Sequence, residues 1–144
     1  MKKTILFLLI VVMFITGCNK QETKNTITNT NEVRSLKISI DNKEYIINLE
    51  ENETVNSLIN LLPLELNMNE LNGNEKYVYL DSSLPTDSYK PGNIEVGDVM
   101  LYGNNCLVIF YKSFDTPYSY TKVGHIDNLP DLGSKNIIVK IEKQ

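Results

Sequence analysis

The chain has no tryptophan, and in its 144 residues one histidine, one arginine and two cysteines. Each scarcity excludes something. Two cysteines do not make the disulfide framework of a small secreted domain, the less so if one of them is chemically used. With His125 alone, acid–base or nucleophilic chemistry must run through that residue or through carboxylates, and no ligand spacing for zinc and no calcium loop is present. There is no Gly-x-Ser-x-Gly elbow and no phosphate-cradling glycine motif, so no cofactor and no metal is expected. Lys and Arg number 14 against 18 Asp and Glu, a formal charge of −4, and the basic residues are not clustered. Without clustered cations there is little counterion release, which argues against nucleic acid as a partner. No apolar run reaches the roughly 20 residues that a membrane-spanning helix needs. The usage is also poor in alanine and rich in asparagine, a bias that says nothing of mechanism.

What is present begins with a leader. Lys2 and Lys3 precede an unbroken apolar run over 5–15, roughly half the length of a permanent span, and Ile15-Thr16-Gly17-Cys18 follows. This resembles a bacterial lipobox: an aliphatic residue, two small ones, and a cysteine whose sulfur takes a diacylglycerol. The expectation is a lipoprotein signal peptide over 1–17 and lipidation of Cys18, with palmitate-like chains holding the mature protein to the extracytoplasmic face of the cell membrane. One acyl chain holds only marginally, two or three firmly. Residues 18–34 are polar and without period, a flexible tether ending at Arg34. The other cysteine, Cys106, beside Leu107 and Val108, reads as a small buried hydrophobe.

The remaining 35–144 is long enough for one domain. It is organised around 97–114, two apolar runs facing each other across Gly103-Asn104-Asn105, residues that tolerate the φ > 0 of a primed hairpin turn. Both runs are apolar on both faces, so the hairpin should be sandwiched between other elements. Leu36, Ile38 and Ile40 alternate with polar residues, as do Tyr45, Ile47 and Leu49 after a turn at Asp41-Asn42-Lys43. Val55, Leu58, Ile59 and Leu62 then fall at helical spacing, with Thr54 placed to cap and Pro63 to stop the helix, which should close one end of a barrel. Extended runs follow at 64–68 and 76–80, an exposed loop at 81–93, a turn or short helix at 128–133, and a last strand with Ile137, Val139 and Ile141. Many short antiparallel strands, one or two short helices and no βαβ alternation give a mainly β fold, a closed antiparallel barrel.

Leu71-Asn72-Gly73-Asn74-Glu75-Lys76-Tyr77, Leu84-Pro85-Thr86-Asp87, Gly97-Asp98-Val99-Met100-Leu101-Tyr102-Gly103-Asn104-Asn105, Phe110-Tyr111-Lys112, Ser119-Tyr120-Thr121, Gly124 and Ile126-Asp127 together resemble the small bacterial cyclophilin-like domains. The resemblance implies a cyclophilin-like β-barrel of about eight strands with helices at its ends. Cyclophilins that isomerise X-Pro bonds use an arginine that hydrogen-bonds the prolyl nitrogen. Here Arg34 precedes the first strand, and no glutamine lies between Gln21 and Gln144. Against an uncatalysed barrier of about 18–20 kcal/mol, holding a proline without such a donor accelerates little. Lys112 or Lys76 would have to substitute, and a flexible ammonium does not reproduce a planar guanidinium.

Two further constellations stand out. His125 and Asp127 share a strand face, with Asp98, Asp115 and Ser119 as conceivable partners. Tyr111, Phe114, Tyr118 and Tyr120 are dense in rings, which either line a shallow groove for a peptide or small molecule or fill the barrel and its rim. Asn74, Lys76, Lys112 and His125 are candidates for the same groove. The function expected is a lipid-anchored binding module of unknown ligand. A weak peptidyl-prolyl isomerase, or another enzyme acting on exported proteins, is the alternative.

Overall fold

A computed structural model describes residues 33–144. The expected leader, Cys18 and the tether as far as residue 32 lie outside the described residues. Ten strands and one helix follow in order: β1 (Ser35–Ile40), β2 (Lys43–Leu49), α1 (Glu53–Ile59), β3 (Leu64–Leu71), β4 (Glu75–Tyr79), β5 (Asn93–Ile94), β6 (Asp98–Tyr102), β7 (Cys106–Phe110), β8 (Phe114–Asp115), β9 (Thr121–Ile126) and β10 (Ile137–Lys143). Eight of them close into a barrel in the order β1-β10-β3-β4-β7-β6-β9-β2, while β5 and β8 form a separate two-stranded sheet. Every pairing is antiparallel. No helix among the described residues is long and apolar enough to cross a membrane.

Strand alternation explains the closure. Leu36, Ile38, Ile47, Met68, Val99, Leu101, Leu107, Ile109, Val123, Ile126, Val139 and Ile141 point inward and are buried, and Val55 and Leu58 of α1 join them. At about 1.5–3 kcal/mol for each such side chain removed from water, this interior is the main driving force for the fold. The β1–β2 hairpin turns on Asp41 and Asn42, both at φ > 0, as a two-residue primed turn requires.

The central hairpin is sandwiched, because its outer face is covered too. Met100, Cys106, Val108 and Phe110 form a second cluster on the outside of the barrel with Ile94 of β5 and Tyr120, and Tyr77 and Phe114 pack against it. The two-stranded sheet β5–β8 therefore acts as a lid over the β6–β7 wall.

Local details differ from the sequence expectations. The cap of α1 is Asn52, whose Oδ1 accepts from the Val55 amide at 2.9 Å, while the Thr54 hydroxyl donates to the Pro85 carbonyl at 2.6 Å. Thr54 is already inside the first turn, and its buried hydroxyl finds a partner on the 81–93 loop instead. The helix ends at Ile59, one turn before Pro63. In the Tyr102–Cys106 connection only Gly103 has φ > 0, because three residues rather than two make the turn. Residues 128–133 form no helix, and Asn128 takes φ 55 to turn the chain out of β9.

Candidate functional site

Outside the barrel, beside the second cluster, lies a groove of about 330 Å³. Its floor and one wall come from alternation on β4 and β7, where Glu75, Tyr77 and Tyr79 point outward opposite Cys106 and Val108. The β3–β4 turn adds Leu71, Asn72 and Asn74, and Tyr102 from the end of β6, Phe114 from β8, Tyr118 and Tyr120 complete it. The rings are held by one another: Tyr77 meets Tyr79 edge-on at 6.0 Å, Tyr102 meets Tyr118 at 6.1 Å, and Tyr120 lies 5.6 Å from both Tyr102 and Phe110. Tyr120 is fixed further by a reciprocal pair of 2.9 Å backbone bonds with Tyr89. Tyr79 and Tyr118 remain 63% and 58% exposed, unusual for rings with nothing to cover them.

The polar groups of the groove are few. Asn74 Oδ1 is buried with no hydrogen-bond partner. The Glu75 carboxyl is pushed above its usual range, first by burial and then by Glu70 nearby. Burial, aided by the Glu75 charge, pushes the Cys106 thiol up to about 11, and burial also raises the Tyr120 hydroxyl. No lysine, arginine or histidine is among the lining residues.

The model of the cyclophilin-like family matches residues 38–142, the whole barrel but for its outermost ends. The chain belongs to the cyclophilin-like family. No curated protein is similar enough to be matched. Among solved structures, the chain is similar to the solution structure of a hypothetical protein from Archaeoglobus fulgidus, at 21% identity over 77% of this chain and 95% of that one, with a TM-score of 0.50. At that identity the likeness shows the fold alone.

In this cyclophilin-like barrel the residues singled out from sequence separate into several places. Asn74, Phe114, Tyr118 and Tyr120 meet in the groove. Tyr111 and Lys76 turn inward instead, Lys76 between the groove-facing Glu75 and Tyr77 and Tyr111 next to the outward Phe110. The fully buried Lys76 donates to the carbonyls of Gly133 and Lys135 at 2.5 and 2.6 Å, and its Nζ lies 4.9 Å from the Tyr111 ring centroid. The Tyr111 hydroxyl donates to Glu70 at 3.1 Å, and burial raises it to about 12. Burial lowers the Lys76 ammonium, with Glu70 and Asp131 acting the other way. Lys112 lies in the open and pairs with Asp131 at 3.4 Å.

His125 is on the outer face of the seam between β2, β9 and β6. It sits opposite Asp98 in the ladder, with Nδ1 3.1 Å from Asp98 Oδ1, and Asp127 lies 3.8 Å from Nε2. Asp98 is buried and also accepts from the Glu95 amide, so it orients the ring. Asp115 is elsewhere, accepting from Asn93. Among the described residues no hydroxyl or thiol hydrogen-bonds this imidazole. Arg34 binds Glu51 at 2.6 Å in a separate, charged concavity of about 520 Å³ between the start of β1 and α1.

Sequence reasoning missed Glu75, Tyr77, Tyr79 and Tyr102 as groove residues. The signal was available: three alternate positions of one strand facing the tip of the hairpin, two of them tyrosine.

Proposed function

We propose that this cyclophilin-like chain is a lipid-anchored, extracytoplasmic binding module. Cys18 carries the anchor, and the barrel holds a side-chain-sized part of a peptide or small molecule in the tyrosine-walled groove. The observation that carries the reading is the groove itself: six aromatic rings around about 330 Å³, near the lower limit of ligand cavities, with no guanidinium or ammonium in the lining. Rotation about a prolyl bond needs a donor aimed at the nitrogen, and Asn72 and Asn74 offer only neutral amides. Binding without chemistry is the function this lining supports best.

The test uses the full chain in detergent micelles with a panel of short peptides that include X-Pro, read by perturbation of tyrosine signals in NMR and by a cis/trans isomerisation assay. Binding that moves Tyr79, Tyr102 and Tyr118 without accelerating isomerisation is expected. Acceleration above the uncatalysed rate overturns the binding-only reading, and no binding across the panel overturns the site. For the anchor, labelled palmitate should enter the wild-type protein and not Cys18→Ala. Equal labelling of the two would remove the lipid from the proposal.

A further inference from the structure

The groove has a definite electrostatic sign. Resting on the reading that it is a binding site, we infer that its ligand is an organic cation, an ammonium or guanidinium group, seated among the tyrosine faces against Glu75 and Asn74.

Three observations converge on that class. Glu75 is the one ionisable carboxylate in the lining, part-buried, with no hydrogen bond or ion pair among the described residues, and the nearby Glu70 adds like charge. The Glu75 charge is felt by the Cys106 thiol and the Tyr120 hydroxyl alike, so it acts on the floor and the wall of the same space. Beside it, the Asn74 side-chain oxygen is buried without a hydrogen-bond partner. A buried acceptor left unpaired is costly, and a donor that reached it as the β3–β4 turn adjusts would satisfy it. The rings complete the site, because the face of an aromatic ring is the negative end of its quadrupole and attracts a cation within about 6 Å.

Three lysines among the described residues are committed elsewhere. Lys76 turns inward to two carbonyls, Lys112 pairs with Asp131, and Lys122 lies near Asp98 and Glu50. A neutral apolar ligand would fill the volume and leave both Glu75 and Asn74 unpaired, and an anion would meet Glu75 and Glu70 together. A cation of side-chain size is the occupant that pairs every group present.

The experiment titrates the full chain in nonionic micelles with N-acetyl-lysine methylamide, its neutral isostere N-acetyl-norleucine methylamide, tetramethylammonium chloride and the peptide Gly-Lys-Gly, at constant ionic strength. Tyrosine NMR signals are the readout. The lysine amide should bind at least about tenfold more tightly than the norleucine amide. Glu75→Gln should abolish that preference without unfolding the chain, and Tyr79→Leu, at an exposed position, should weaken the lysine amide more than the norleucine amide. Acidification through the Glu75 pKa should weaken the lysine amide alone. Stronger binding of tetramethylammonium than of the peptide identifies a free organic cation as the source, and the reverse a peptide side chain, each supporting the cation class. Equal binding of the lysine and norleucine amides overturns this inference while leaving the groove a binding site, and binding of no probe overturns both.

Discussion

Replacing Lys76 separates what its stem does from what its charge does. The residue is fully buried, in a barrel filled mostly with aliphatic side chains and, beside it, the Tyr111 ring. Removing the ammonium forfeits two charge-assisted bonds, to the carbonyls of Gly133 and Lys135, each worth about 1.5–3 kcal/mol. It also returns the desolvation of a buried cation, several kcal/mol, and both freed carbonyls belong to exposed residues. The two terms nearly cancel, so Lys76→Met, which keeps the length of the stem, should change stability by no more than about 1 kcal/mol. Lys76→Ala makes the same electrostatic exchange and in addition loses three methylenes at about 0.8 kcal/mol each and leaves a cavity, in all about 3 kcal/mol. At about 4 °C per kcal/mol for a domain of this size, thermal unfolding at pH 7 should place the alanine variant about 12 °C below wild type and the methionine variant within about 4 °C. Amide exchange should meanwhile speed up in the 133–136 segment in both variants. If methionine destabilises as much as alanine, the bonds to the carbonyls outweigh desolvation and the reasoning fails.

Glu75 gives a pH dependence of known sign. Its folded pKa lies above the 4.5 of the free group, so its contribution to stability is full below that value and is lost as pH rises through the folded pKa. Urea unfolding of wild type and Glu75→Gln should therefore show the variant gaining on wild type between pH 4 and pH 7, and a constant difference would contradict the assigned environment. Gly124 follows the extra residue Val123 where β9 bulges against β6, and a Cβ there would run into the Asn48 carbonyl and the Ile47 side chain. Gly124→Ala should cost about 1–3 kcal/mol, measurable as a lowered urea midpoint, whereas an unchanged midpoint would mean that the β2–β9 seam yields freely. With its thiol held near 11, Cys106 is thiolate in about one molecule in a thousand at pH 8. Dithionitrobenzoate should leave native Cys106 unmodified for hours and label it at once in urea, and rapid native labelling would show that the groove floor opens.

Much of the fold was legible because strand alternation is a local property. Leu36, Ile38 and Ile40, or Ile137, Val139 and Ile141, declare their inward face without reference to any other strand. The doubly apolar runs 99–102 and 106–110 declared equally that a second layer must exist. What covers that layer was not legible, since β5 and β8 are only two residues each and depend on pairing across 20 positions of sequence. The site divides the same way. Phe114, Tyr118 and Tyr120 are visible as a dense run, but whether Lys76, Lys112 or His125 joins them depends on which side of the barrel wall each faces. Lys76 looks like a surface residue by chemistry and is fully buried by position. Asn52 and Thr54 are both capping types two residues apart, and only the fate of the Thr54 hydroxyl, taken by Pro85, decides between them.

The wall formed by β6 and β7 carries an unusual error risk. In a sheet wetted on one side, shifting a strand by one residue exposes its apolar set to water, and that cost polices the alignment. Here Leu107, Ile109 and Tyr111 on one side and Cys106, Val108 and Phe110 on the other could exchange places and still meet hydrocarbon. Solvent gives this hairpin no proofreading. Alignment must instead be enforced at its ends, by the left-handed Gly103 at the tip and by Asp98 at the base, which is buried only in company with His125, Lys122 and the Glu95 amide. That makes the ionic anchor at the foot of the hairpin a device for fidelity of assembly, a use for His125 and Asp98 that requires no substrate.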